Sequence, residues 1–594
     1  MIRSKGLRQS EGGANWPSLL VSAAALSLLA GSLFLGPQYA WCGIALLVLA
    51  VRSGSALFPT GYLAAVMVPF CGWLFVDAAY VTPMYYSYSL YRPLILLAAF
   101  LALAIAGRPQ AERLFRIGLA LLSMLVLMGM LQLFGGFWHL EQNPQRAAAT
   151  FATPNTFATA INLFLLPLAA LYLTSHGTRT VLALVLWLFA GLVATESRGG
   201  MLAFVAGLGF IGVCAGPSWL WSRRARIASM LGGALAVAGV VSLGRALGPG
   251  AAMAELPVWA ERGVADRPDY YAAALRMILD HPFLGTGANT FFPLYEIVKP
   301  ELMRDRAITF VHNDYLQHWL EFGAPGILLL LLLAIGSLVL ALRAWRRDPR
   351  EALPLACGAA LAACFAHAVV DFPLYIPFIV LVVGSHLGVL AAHLGALRAP
   401  ALDWQWTRRF CATATPRIRW TLAIAALAWI AQPALADLAS RRSVATLAGG
   451  NARDALYWLS VARRLEPRLP AHYWAEGMIW QGQAVESKNP ALAARAEELF
   501  VAGSNASPYD VANLLARVSL HRQHPELASA SSPAEVLSWS ARAASLRPQL
   551  LTIQGEYART LAYAGQVEQA RALARRLLVE FPEAEFARRL AAEL

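Results

Sequence analysis

Two histidines with nearby carboxylates are the residues of this chain best suited to acid–base chemistry. His312 opens the segment His-Asn-Asp-Tyr-Leu-Gln, and Glu321 follows just before a long apolar run. His367 lies four residues before Asp371, a spacing that places both on one face of a helix. A histidine at the end of an apolar run is either a satisfied structural residue or a general base, because histidine titrates near neutral pH. The His367–Asp371 pair is likewise either a packing pair or part of a site.

Arginines stand at two places where an anion can bind. Arg198 belongs to Thr-Glu-Ser-Arg-Gly-Gly, at the junction of two apolar runs, and Arg267 begins a helical pattern that extends to Asp280. An arginine at the end of a membrane span either reaches toward interfacial water or binds phosphate with its forked guanidinium. The spacing of residues leaves both interpretations of Arg198 open.

Motifs for nucleotides and metals are missing from the sequence. The lysines are Lys5, Lys299 and Lys488, and none follows a glycine, which excludes a phosphate-binding P-loop. The chain has no His-Glu-x-x-His and no Asp-x-Asp, and its six cysteines lack metal-binding spacing. These absences disfavour a pump driven by nucleoside triphosphate and a cytosolic nucleotide-sugar transferase. We expect neither a metal nor another cofactor.

Membrane-spanning helices must position these residues. The chain has 594 residues, of which 58% are hydrophobic and 14% charged, and its mean hydropathy is +0.52. Soluble domains have about 45–50% apolar and about 25% charged residues. The apolar runs are uninterrupted, which favours helices over a β-barrel. We predict 12 to 13 spans, near residues 17–36, 40–58, 61–79, 91–107, 114–134, 154–174, 180–196, 199–216, 227–247, 323–342, 353–371, 374–397 and 419–436.

The distribution of basic residues predicts the orientation. Net charge is +13, and membrane proteins concentrate such charge in cytoplasmic loops. With a cytoplasmic N-terminus, all the basic clusters fall inside: Arg3–Arg8, Arg108–Arg116, Arg179, Arg223–Arg226, Arg343–Arg350 and Arg408–Arg419. The long loop (residues 248–312) and everything after Pro433 then face outward. We expect a multi-pass protein of the bacterial inner membrane, without a cleaved signal peptide.

The last part of the chain has a different character. Charged and apolar residues alternate with helical period after residue 440, and prolines stand at 467, 508, 548 and 582. Small residues precede three of them by five positions, at Ala462, Gly503 and Ala543. The pattern is typical of degenerate tetratricopeptide repeats. We therefore predict an all-α protein with a membrane domain over 1–437 and a periplasmic α-solenoid over 440–594. A plain helical domain without repeats is the alternative.

Five segments, in order, resemble the O-antigen ligase superfamily, which comprises ligase-type and Wzy-type membrane glycosyltransferases. They are Thr150–Asn155, Ser197–Gly200, Met277–Phe291, His312–Gln317 with Glu321 and Gly323, and Val370–Leu374. The resemblance covers about residues 110–400. The sequence departs from the family pattern at Ala152, Thr153 and Ala368, which leaves the subfamily open.

The resemblance implies a metal-independent transfer of glycan from undecaprenyl pyrophosphate to an acceptor hydroxyl on the periplasmic face. The acceptor would be lipid A-core in a ligase, another lipid-linked glycan in a polymerase, or a protein Ser or Thr in a protein O-oligosaccharyltransferase. The resemblance implies that His312 is the general base and that Arg198 and Arg267 bind the pyrophosphate. Arg262 is an alternative to Arg267 in this role. Supporting roles fall to Asn155, Asn313, Glu321, His367 and Asp371.

Two functions of other classes remain open from the sequence. A lipid-linked oligosaccharide flippase would need charged groups along a path through the membrane, whereas the candidate site residues here are expected at one face of the membrane. A non-enzymatic assembly scaffold would carry a partner on the C-terminal repeats, but a single span would suffice to anchor it. No nucleic-acid partner is expected.

Overall fold

A computed structural model describes most of the chain. The described residues are 62–80, parts of 92–104, 108–135, 146–174 except 152, 177–247, 267–299, 308–396, 432 and 435–594. The predicted spans at 17–36 and 40–58, nearly all of the span at 419–436, and Arg262 lie outside the described residues.

Long apolar helices form the first part of the described chain. Nine apolar helices are described, and two helices of the long loop lie between the sixth and the seventh of them. They are α1 (Tyr62–Tyr80), α2 (Arg108–Gly135), α3 (Pro154–Thr174), α4 (Arg179–Ala194), α5 (Arg198–Ser222), α6 (Arg224–Leu247), α7 (Arg267–Asp280), α8 (Phe291–Val298), α9 (Asp314–Arg347), α10 (Ala352–His367) and α11 (Pro377–Ala396). The predicted helix from Arg267 to Asp280 is confirmed as α7.

The helices identify a multi-pass membrane protein. Among the described residues, α2, α3, α5, α6, α9 and α11 are long and apolar enough to span a bilayer, and α1, α4 and α10 are shorter apolar helices. Helix α3 is the centre of the bundle, because it packs against α4, α5 and α10. Its first residues lie at the end of the bundle that carries His312, which we call the site face. At the opposite end, Arg223 donates a hydrogen bond to the Leu173 carbonyl at 3.0 Å.

Helix α9 begins earlier than the predicted span at 323, because it consists of two segments joined by a kink. Gly323 has φ 65° and ψ −167°, a conformation that favours glycine. A β-carbon there would lie 2.1 Å from the Phe283 carbonyl oxygen. The amide of Ala324 also donates to the Pro282 carbonyl at 3.0 Å. The kink is therefore the place where the long loop packs onto the membrane helices.

The predicted helical spacing of His367 and Asp371 is wrong, although the two side chains do meet. Helix α10 ends at His367, and a turn leads to Asp371. The helix stops here because the Ala368 carbonyl accepts a hydrogen bond from the Asp314 amide at 2.8 Å, and Pro373 follows shortly after. The turn brings Asp371 beneath the start of α9.

The C-terminal region after residue 435 consists of helices joined by turns and short loops. After residues 435–448 come α12 (Ala452–Leu465), α13 (Pro470–Ser487), α14 (Pro490–Ala506), α15 (Ala512–Gln523), α16 (Pro533–Leu546), α17 (Leu551–Tyr563), α18 (Val567–Glu580) and α19 (Glu585–Glu593). Each packs against the next along the chain. Ala462 and Ala543 are fully buried between helices. The region contacts the long loop, because the Arg547 guanidinium lies 5.8 Å from the Phe292 ring centroid.

Candidate active site

His312 and Asp371 form a hydrogen-bonded pair at the site face. The His312 Nδ1 atom lies 3.2 Å from Asp371 Oδ1. The side chain of His312 is 31% exposed, whereas that of Asp371 is 7% exposed. The buried carboxylate thus holds one ring nitrogen of an imidazole that remains partly accessible to solvent. This is the arrangement of a base and the group that orients it.

The backbone of His312 is held in an uncommon conformation by its neighbours. Its φ is +58°, which for a residue other than glycine needs support from its surroundings. The Val311 amide donates to Gln317 Oε1 at 3.0 Å, and the Tyr271 hydroxyl donates to the His312 carbonyl at 3.1 Å. Asn313 caps α9 by accepting from the Tyr315 and Leu316 amides. The predicted supporting residue Asn313 therefore fixes the turn that presents His312.

Asp371 is charged at neutral pH in spite of its burial. Desolvation alone would raise the pKa of this carboxyl, but the hydrogen bond from His312 and the charges of both histidines lower it below its ordinary value. The Phe372 amide also donates to Asp371 Oδ1 at 3.0 Å. An ionised carboxylate at Nδ1 favours the tautomer that leaves Nε2 free to accept a proton, and it stabilises the imidazolium that results.

His367 lies directly behind the pair. Its Nδ1 atom is 2.7 Å from the Thr159 hydroxyl of α3, and its Nε2 atom is 3.9 Å from Asp371 Oδ2. The side chain is 1% exposed, and Nε2 makes no hydrogen bond to any residue that the structure describes. Asp371 is therefore placed between an exposed and a buried histidine.

Arg198 is the first residue of α5 and is exposed at the same face. The preceding Ser197 caps the helix by accepting from the Gly200 amide at 3.0 Å. The Gly200 carbonyl accepts from Asn162 at 2.8 Å, which ties the motif to α3. A β-carbon on Gly199 would lie 2.8 Å from His367 Nε2. The Ser-Arg-Gly-Gly motif therefore packs directly against His367.

Arg267 is the first residue of α7 and is half-buried. Burial raises the pKa of Tyr271, one turn further along the helix, while the Arg267 charge acts in the opposite direction. The Arg267 charge also acts on the pKa of His367, in the same direction as burial, which lowers it. The helix that Arg267 begins therefore contacts the His312 backbone through Tyr271, one turn further along. Both arginines predicted to bind an anion thus stand at helix N-termini, where the helix dipole also favours negative charge.

Arg146 is a site-face arginine that sequence analysis missed. Its guanidinium donates to Asn155 Oδ1 at 3.0 Å and to the Thr195 carbonyl at 2.9 Å. It therefore joins the start of α3 to the turn before Arg198, and it gives the predicted residue Asn155 a structural partner. A second cation, Arg245, pairs with Glu196 in the same turn. The available signal was the position of Arg146 four residues before the Thr150–Asn155 segment.

Glu321 does not contact His312 and lies in a buried network below it. Its carboxylate accepts from Tyr375 at 2.7 Å and from Gln317 at 3.0 Å. The Arg92 guanidinium is stacked 3.7 Å from the Tyr375 ring centroid. Because Gln317 also binds the Val311 amide, the network supports the backbone of His312 from within the bundle. Tyr375, Gln317 and Arg92 were not predicted as site residues.

His312, His367 and Asp371 do not form a metal site. Among the described residues, no cluster of three or more His, Cys, Asp or Glu side chains is arranged to hold a metal ion. The expectation of a metal-independent reaction stays a prediction.

Comparison with known proteins places this geometry in a family context. No curated protein matches the chain. Residues 183–331 match the O-antigen ligase family, Wzy_C. The matched stretch contains Arg198, Arg267, His312 and Glu321, whereas Asn155, His367 and Asp371 lie outside it. The chain therefore carries an O-antigen ligase family domain over residues 183–331, which implies a membrane enzyme of the glycosyltransferase type.

Proposed function

We propose that the protein transfers a glycan from undecaprenyl pyrophosphate to an acceptor hydroxyl, in ligation or polymerisation of O-antigen or a related surface polysaccharide. The observation that carries the proposal is the partly exposed His312 imidazole hydrogen-bonded to the buried Asp371. His312 lies within residues 183–331, which match the O-antigen ligase family, and Asp371 lies outside them. The family match supports lipid-linked glycans as substrates. The pair of His312 and Asp371 supplies the acid–base group that such a transfer needs.

In the proposed reaction, His312 Nε2 removes the proton from the acceptor hydroxyl as its oxygen bonds to the anomeric carbon of the donor. The bond between that carbon and the pyrophosphate oxygen breaks, and undecaprenyl pyrophosphate leaves with the electron pair. Asp371 stabilises the imidazolium formed at His312. A general base of this kind typically contributes about 10²–10⁴-fold to the rate.

Arg198 and Arg267 are proposed to bind the pyrophosphate leaving group. Each stands at the first residue of a helix, so guanidinium and helix dipole act on the same anion. Stabilising the charge that develops on a leaving group is often the largest part of catalysis. No metal is assigned to this role.

The acceptor is proposed to be recognised with help from the C-terminal helices. Their packing, each helix on the next, supports the predicted α-solenoid, and solenoids bind large partners on extended surfaces. The contact between Arg547 and Phe292 supports placing this region on the same side of the membrane as the long loop. A protein acceptor, as in protein O-oligosaccharyltransferases, is the second candidate that this region favours.

The proposed location is the bacterial inner membrane, with a cytoplasmic N-terminus and the site face toward the periplasm.

Gene deletion followed by gel analysis of envelope glycans tests the function and the acceptor together. Loss of polysaccharide on lipid A identifies a ligase, glycan of one repeat unit a polymerase, and an unglycosylated surface protein a protein transferase. Unchanged envelope glycans would contradict all three.

A further inference from the structure

A strip of large apolar side chains is exposed on the long loop. Leu275 is 44% exposed, Leu279 77%, Phe283 75% and Leu284 63%. The first two lie one turn apart on α7, and the last two lie in the turn that follows this helix. Exposed apolar side chains that stand together mark an interaction surface. These four residues are called the apolar edge.

Helix α7 carries part of the apolar edge on a face that does not pack against the core. Its buried face carries Tyr270, Ala273, Ala274, Met277 and Ile278. Leu275 and Leu279 lie on another face, and the exposed Arg276 and Asp280 follow them around the helix. A helix that buries one face, exposes an apolar face and carries charges at its margin is typical of elements that lie in a membrane interface.

The attachment of the long loop fixes the depth of the apolar edge. The Ala324 amide donates to the Pro282 carbonyl at 3.0 Å and lies 3.2 Å from the Phe283 carbonyl. Ala324 belongs to α9, and on this helix Leu328 is 57% and Ile335 61% exposed, as expected for lipid-facing positions of a span. Four residues of helix correspond to about 6 Å, so the turn containing Phe283 sits about one helical turn above lipid-facing Leu328.

Trp319 supports the same depth. Its indole Nε1 atom donates to the Pro282 carbonyl at 3.2 Å, and the residue is 36% exposed. Tryptophan is enriched where a membrane protein passes from hydrocarbon to headgroups. The apolar edge is thus continuous with the lipid-facing surface of α9.

We propose that the apolar edge inserts into the lipid leaflet at the site face and that its occupant is the acyl-chain region of the bilayer. Interfacial elements bury their apolar face by about 5–10 Å, which agrees with the position of the turn above Leu328. The Thr286 and Gly287 amides bind the Leu320 and Glu321 carbonyls at 2.8 and 2.9 Å. Insertion would therefore hold the first turns of α9, and with them His312, at the depth of lipid headgroups. The proposal does not depend on the transfer reaction.

Single cysteines in the full-length protein, reconstituted into phospholipid vesicles, test the proposal. The variants are Phe283→Cys and Leu284→Cys, with Leu328→Cys as the lipid-facing control. Asp280→Cys and Val579→Cys are the aqueous controls, and Val579 is an apolar residue that is 80% exposed in the C-terminal region. Each is labelled with a fluorophore and exposed to a water-soluble quencher and to a quencher carried on lipid chains. The unsubstituted protein gives the background from native cysteines.

We expect labels at 283 and 284 to respond as at 328, with several-fold weaker quenching from water than at 280 or 579 and strong quenching from lipid. Equal quenching from water at 283 and 579 would overturn the proposal. Protection from both quenchers would also overturn it, because it would identify a second copy of the protein as the occupant. Substitutions at these exposed positions remove no buried contact, and size-exclusion chromatography in detergent verifies the fold of each variant.

Discussion

The α-carbon of Gly199 packs against the ring of His367, so that any β-carbon at position 199 would lie 2.8 Å from Nε2 and 3.0 Å from Cδ2. The ring cannot easily move away, because Thr159 holds its other nitrogen at 2.7 Å. This contact links the turn that carries Arg198 to the residues behind His312. It gives a physical reason for glycine after the arginine.

Gly199→Ala should therefore impair transfer by displacing His367 and, through it, Asp371. Elsewhere in helices, Gly→Ala stabilises by up to about 1 kcal/mol. The matched control is Gly209→Ala in the same helix, where a β-carbon meets nothing within 4 Å. We expect a lower rate and a lower melting temperature for the first variant only, measured on purified protein. Equal behaviour of the two variants would show that the Gly199–His367 contact is unimportant.

Asp371→Asn should lower the rate of transfer with little effect on donor binding. The pKa of Asp371 is below its ordinary value, so the carboxylate is ionised throughout the neutral range and stabilises the imidazolium that forms at His312 during transfer. An amide carries no charge and cannot do this, so we expect kcat to fall while the dissociation constant of the donor stays near the wild-type value. The control is the exposed Asp280→Asn, and a wild-type kcat in Asp371→Asn would contradict the orienting role.

Tyr375→Phe should destabilise the membrane domain. The substitution removes the hydrogen bond of 2.7 Å to Glu321 Oε2 and leaves a buried carboxylate with one donor fewer. A buried polar group that loses its partner costs about 1–3 kcal/mol. Thermal unfolding in detergent measures the loss, with Tyr457→Phe as control because Tyr457 is 61% exposed. Identical melting temperatures would mean that the network contributes little.

Glu497 should make the C-terminal helices sensitive to acid. Burial would raise the pKa of this carboxyl, but hydrogen bonds from His521, Ser529 and Arg517 lower it from 4.5 to about 2. A depressed folded-state pKa gives stability that is present above the unfolded value and lost as pH falls through the folded one. The hydrogen-exchange protection factors of α14 to α16, referred to the intrinsic exchange rate at each pH, should therefore fall in the full chain between pH 4.5 and about 2. Glu497→Gln should remove most of this acid-dependent change, and an undiminished change would argue against it.

Apolar run length was sufficient to predict where the apolar helices lie in the part of the chain that the structure describes. The helix over Pro154–Thr174 has the predicted bounds, because its ends coincide with a proline and with the end of the apolar run. The kink of α9 was not predictable in this way, since it depends on the contact of Gly323 with Phe283, a residue distant in sequence.

The candidate site was predicted by residue type more than by contact. His312 and Asp371 are 59 positions apart, and nothing local indicates that they pair. Sequence spacing instead suggested a helical His367–Asp371 pair, although the helix ends at His367. Arg146 was missed because its partners, Asn155 and the Thr195 carbonyl, are brought to it only by the packing of α3 and α4.

The central claim is that His312 is the base of a glycan transfer, and the purified enzyme tests it most directly. Wild type, His312→Ala and Arg198→Lys are assayed in detergent with a lipid-linked glycan donor, an acceptor and excess chelator, and donor binding is measured in parallel. We predict that His312→Ala binds donor as wild type does but transfers about 10²–10⁴-fold more slowly. Arg198→Lys should also be impaired, because an ammonium does not reproduce the two-pronged guanidinium contact with phosphate. Transfer by His312→Ala at the wild-type rate would contradict the account.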